Sequence, residues 1–152
     1  MNITSFKGKL NALDIILLLL ANGKTMGRTM MQNQVFLAYK EILSDYSDDL
    51  LYHPDKYGPF SKLVEDSLKY LRNQGLIKVI NRGEGHQTYI LTEEGKRKAE
   101  EISKKLPDEI KNALKNQKIS WDEWDIKGIL RYVCRKYPEY AVNIKDLDLK
   151  WE

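Results

Sequence analysis

The sequence predicts a mainly α fold with one small β-hairpin. Three observations lead there. Apolar residues recur at helical spacing in successive segments that end at glycine or proline. One pair of short β-branched runs flanks a glycine-rich turn. The 152 residues, 42% of them apolar, are enough for one compact domain with a real core and too few for two full-sized ones.

Taken in order, Leu10, Leu13, Leu17 and Leu20 mark a first helix, and Asn22-Gly23-Lys24 stops it. Lys24 to Gly27 reads as a short connector. Met30, Met31, Gln34, Val35, Leu37, Ala38, Ile42 and Leu43 then place a second helix over about residues 28–43, with the methionines filling core gaps. Ser44 to Asp49 is a polar loop, and Leu50 to His53 a short extended piece ended by Pro54. Two prolines and a glycine between Pro54 and Pro59 forbid a continuous helix and favour a compact bend. Ser61 stands as N-cap of a third helix, with Val64, Leu68 and Leu71 on one stripe and Gly75 past its end. Leu76–Ile80 and Gln87–Leu91 form the hairpin about Asn81–Gly85. Thr92 caps a fourth helix that runs to Pro107, a short helix covers residues 108–117, and Ser120-Trp121-Asp122-Glu123 fits a capping box opening a last helix to about Tyr137. The natural division lies near Leu91: residues 1–91 form the helix–hairpin unit, and residues 92–152 are helices that pack on it and supply a dimer interface. Trp121, Trp124 and Trp151 all lie in that second part, where they either cover the first unit or bury a partner's helix.

Charge excludes several classes. With 25 Lys and Arg against 22 Asp and Glu, the net charge of +3 creates no broad basic field. The one cysteine, Cys134, forms no internal disulfide, and with only His53 and His86 beside it no metal site is expected. The longest apolar run, Ile15 to Ala21, falls far short of the roughly 20 residues that span a bilayer, so a cytoplasmic protein is expected. Gly23-Lys24-Thr25 echoes the end of a phosphate-binding loop, but the position needing its first glycine is Leu18, inside a helix. Nothing brings Cys134 to either histidine. The expectation is a protein without catalytic residues or cofactor, not an enzyme. Lys96-Arg97-Lys98, flanked by Glu93-Glu94 and Glu100-Glu101, reads as i to i+4 ion pairing on a wet face.

Three helices followed by a hairpin is the order of the winged helix-turn-helix. Ser67-Leu68-Lys69-Tyr70-Leu71-Arg72-Asn73-Gln74-Gly75-Leu76-Ile77, followed by a wing and Tyr89-Ile90-Leu91-Thr92-Glu93-Glu94-Gly95, resembles winged-helix regulators of the MarR and PadR type. Lys56–Ser61, Ile129–Val133 and Tyr137–Tyr140 are similar to a mainly archaeal winged-helix group, the YwgA-like proteins. The resemblance implies a winged helix with a C-terminal helical extension and a regulatory role, with no ligand assigned. The sequence departs from it in the connection between helices two and three, about 17 residues from Ser44 to Phe60, where a helix-turn-helix uses a tight turn.

On this reading the chain is a homodimeric transcriptional regulator that meets double-stranded DNA through helix 61–74 and wing 81–86. Arg82 at the wing tip comes first, because a cation there reaches phosphate or a narrow minor groove. Ser61, Lys62, Lys69 and Arg72 belong to the third helix, and Lys24 and Arg28 to the start of the second, where backbone phosphates dock. Glu65 and Asp66 on the third helix count against DNA. They leave open a protein-binding adaptor or antitoxin-like partner protein, and a cleft for a small-molecule effector is a further possibility. Tyr57 and Phe60 are expected to pin their loop onto the core.

Overall fold

The computed structural model describes residues 9–83 and 86–145. α1 (Ala12–Leu20) starts at Asn11. The Asn11 side chain accepts from the Asp14 amide while the Asp14 carboxylate accepts from the Asn11 amide. Every residue from Ile15 to Leu20 is buried, so the helix is apolar on all faces because all its faces are covered. Leu10, predicted to belong to it, lies ahead of it in a bridge to Ser47. Past Gly23, the expected connector contains a strand, β1 (Thr25–Met26). Two residues carry no alternation that a pattern could reveal.

α2 (Arg28–Leu37) continues into one widened π-helical turn, Ala38–Ile42, so the second helix has its predicted extent. Where a bend was expected, β2 (His53–Asp55) and β3 (Gly58–Phe60) form a two-stranded ribbon, with Pro54 opposite Pro59. A free ribbon has two open edges, and there a proline's missing N–H costs no ladder bond. The strand therefore runs through Pro54 instead of ending at it.

α3 (Lys62–Asn73) is capped by Ser61 as predicted and buries Val64, Leu68 and Leu71, packing chiefly on α1. β4 (Ile77–Asn81) and β5 (Gln87–Leu91) make the hairpin, and β1 adds to β5, giving an antiparallel sheet of order β1-β5-β4. The protein is thus mainly helical with a small antiparallel sheet. α4 (Glu93–Ser103) begins at Thr92 as expected but stops four residues short of Pro107, which is instead the N-cap residue of α5 (Asp108–Lys136).

α5 corrects two expectations. There is no separate helix over residues 108–117, and no helix starts at Ser120. Leu114, Lys118 and Trp121, at helical spacing, are all buried, and this continuous burial carries the helix through the local capping signal. The break falls at Asp125, with φ 59 and ψ −175, where the carboxylate accepts from the Gly128 amide and restarts the helix. Aspartate is among the few residues that enter this region readily. One core cluster joins Leu17, Phe36 and Leu71 to Ala99, Trp121 and Val133, from both sides of Leu91. Trp121 packs within its own chain and Trp124 lies half-buried against Tyr132, with ring centroids 5.1 Å apart. Trp151 lies outside the described residues. Among those described, no helix is long and apolar enough to cross a membrane.

Candidate nucleic-acid interface

The start of α3 is fixed by a side chain acting as a backbone. Gln32 of α2 donates from Nε2 to the Ser61 carbonyl and accepts from the Ser61 amide, both at 3.0 Å, as a neighbouring strand would. The Ser61 hydroxyl donates to the Leu50 carbonyl at 2.6 Å and accepts from the Val64 amide. Ser61 is wholly buried, so it positions α3 and presents nothing outward, contrary to its expected place among the contacting residues. The other end of α3 is held through Thr92, whose hydroxyl donates to the Gly75 carbonyl and accepts from the Gly95 amide. Helix and hairpin are therefore locked to α4 at their junction.

The face of α3 turned from the core is open. Lys62, Leu63, Asp66, Lys69, Tyr70, Arg72 and Asn73 are exposed. Both acids of the helix are engaged. Glu65 is ion-paired with Arg28, and Asp66 with Lys62 at 2.9 Å. The Asp66 hydrogen bond and charge hold the Lys62 ammonium above its usual range. Lys69 and Arg72 form no ion pair among the described residues. The same is true of exposed Arg82, whose amide donates to the His86 carbonyl as the wing turns. Glu84 and Gly85, the rest of the predicted wing tip, lie outside the described residues. Lys24 is exposed, but its carbonyl accepts from buried Lys118.

Arg28 stands at the first position of α2, whose N-cap is Gly27 and whose cap lacks a side-chain hydrogen bond. It borders a cleft of about 450 Å³ reached also by Lys56 and Tyr57 of the ribbon, Leu68 of α3, Gln87 of β5 and Ile126. Tyr57 does not pin its loop: it is 64% exposed. Phe60 does turn inward, its ring edge-on to His53. No known family profile and no curated protein matches the chain. The site must therefore be judged on its own chemistry: unpaired cations along a helix and at a hairpin tip, with exposed Leu63 and Tyr70 among them.

Sequence reasoning missed the polar framework behind this surface. Gln32, Asn33 and Gln34 are consecutive and buried. Asn33 holds the ribbon by donating to the Tyr57 carbonyl at 3.4 Å, and lies so near Gly58, at φ +97, that a Cβ there would stand 3.2 Å from Asn33 Oδ1. Gln34 accepts from the Thr25 hydroxyl and donates to Asp122 at 2.7 Å. Asp122 in turn pairs with Lys118, which also donates to the Lys24 carbonyl at 2.7 Å. Burial lowers the Lys118 pKa, and the Asp122 hydrogen bond and charge act in the opposite sense. Three amides in a row on an otherwise apolar helix were the available signal. Elsewhere, Cys134 is buried, and among the described residues no cluster of His, Cys, Asp and Glu could hold a metal ion.

Proposed function

We propose that the chain is a winged-helix protein that binds double-stranded DNA and acts as a transcriptional regulator, as a homodimer, with α3 and the β4–β5 wing on the duplex. One observation carries the reading: α3, with its outer face open, leads into a hairpin within a sheet of order β1-β5-β4, and the acids on that helix are already paired. Pairing removes the repulsion that Glu65 and Asp66 would otherwise offer to phosphates and leaves Lys69, Arg72 and Arg82 as the uncompensated charges. The ribbon stands in place of the tight turn between helices two and three. The Gln32–Ser61 bonds supply the rigidity such a turn would give.

Fluorescence anisotropy with duplex DNA at two salt concentrations tests this. Affinity should fall steeply with salt, and Arg82→Ala should weaken it; absence of binding at 50 mM salt refutes the reading. Light scattering of the purified protein gives its mass and hence tests the homodimer.

A second reading, a protein-binding adaptor, draws on Leu63 and Tyr70, which are 42% and 52% exposed on the same helix. It requires that DNA fail to bind and that a protein partner be lost on Leu63→Asp substitution.

A further inference from the structure

We propose that the β2–β3 ribbon is a second DNA-contacting tip, with Lys56 meeting a phosphate and Tyr57 a sugar or base edge beside the N-terminal end of α3. This rests on the DNA-binding reading above. The ribbon's two-residue turn carries Lys56 and Tyr57, both exposed, and the Tyr57 side chain has no role in packing. Lys56 forms no ion pair among the described residues, and the Asp55 carboxylate beside it accepts from the Lys56 amide within the turn.

Everything behind this tip is fixed. Asn33 donates to the Tyr57 carbonyl, Asn143 donates to the Pro54 carbonyl at 3.2 Å, and two prolines stiffen the strands. A rigid mount with a bare aromatic and a cation at its end is organised for a partner in advance, because the ordering cost falls on folding and not on binding. The partner's sign follows from the surroundings. The tip shares one cleft with Arg28 and with Gln87 of the wing strand, so ribbon and wing border the same flank of α3. The unpaired cations Lys69, Arg72 and Arg82 lie on that helix and wing.

The experiment uses the full chain, a labelled duplex that the wild type binds, and a salt titration. Tyr57→Ala should lower affinity about tenfold, the order of one aromatic contact to nucleic acid. Lys56→Ala should reduce the slope of log K against log salt by about one. Both variants should keep the wild-type melting temperature. The proposal is overturned if both bind with wild-type affinity and slope while Arg82→Ala weakens binding, or if weaker binding comes with a matching fall in melting temperature. If the wild type itself binds no duplex at 50 mM salt, the DNA reading fails first, and that result needs no variant.

Discussion

Replacing Lys118 by methionine keeps the length and volume of the side chain and removes its charge and its donors. Three hydrogen bonds disappear: one to the Lys24 carbonyl at 2.7 Å and two to the Asp122 carboxylate at 2.7 and 2.9 Å. Because the Lys118 side chain is wholly enclosed, water does not replace it. Breaking a buried ion pair by removing one partner costs about 3–5 kcal/mol. Asp122 is 42% exposed and keeps the Gln34 donor, which places the expected loss at the lower end, about 3 kcal/mol. No cavity contribution is added, since methionine fills the space. Urea unfolding followed by far-ultraviolet circular dichroism measures it as a lower midpoint at unchanged slope. The lowered Lys118 pKa adds a second signature. The unfolded chain binds more protons than the native one between the native pKa and 10.5, so wild-type stability gains on the variant as pH rises through that window. A loss below about 1 kcal/mol at neutral pH would refute the account of this network as a clasp between β1, α2 and α5.

Asp66→Asn frees Lys62 and removes a carboxylate from the α3 surface; duplex affinity should rise about threefold at low salt with a steeper salt slope, and a drop would count against the proposed face. Gly95→Ala places a Cβ 2.0 Å from the Leu76 carbonyl oxygen, a backbone atom, and should cost about 3 kcal/mol in a thermal melt, a change under 1 kcal/mol contradicting that close approach. Burial is the leading cause of the raised pKa values of Tyr39, Tyr52, Tyr89, Tyr132 and Tyr137. Their contribution to stability is full below pH 10 and lost as pH climbs through the native values, so absorbance at 295 nm should show these phenols ionising late, together with alkaline unfolding. Five phenols titrating at the ordinary value in the folded protein would disprove it.

The long amphipathic and apolar segments were legible in the sequence because burial there follows one face or all faces: α1, α2, α3, the hairpin and the Thr92 cap lie where spacing puts them. The failures share a cause. β1 is too short for alternation, and it exists because β5 has a free edge for it to join. The ribbon looked like a bend because two prolines argue against strands, an argument that lapses when both edges are open. Ser120 carried a valid cap sequence, overruled by the burial of Lys118 and Trp121 on either side. Lys96 and Arg97 pair with Glu93 and Glu94 at a spacing of three, not four. Of the expected contact residues, Lys62, Lys69, Arg72, Arg82, Arg28 and Lys24 are exposed, while Ser61 belongs to the interior. No local signal separates a serine that caps a helix from one that greets a ligand; here Gln32, 29 positions earlier, decides.

The covering of α1 by α4 reaches beyond architecture. A fragment ending at Leu91 would bare the apolar flank of α1 that α4 now shields, together with the seats of Trp121 and Val133. Such a fragment would aggregate before it could be assayed, so domain-swap or minimal-module strategies suited to detachable readers are the wrong tools for this protein.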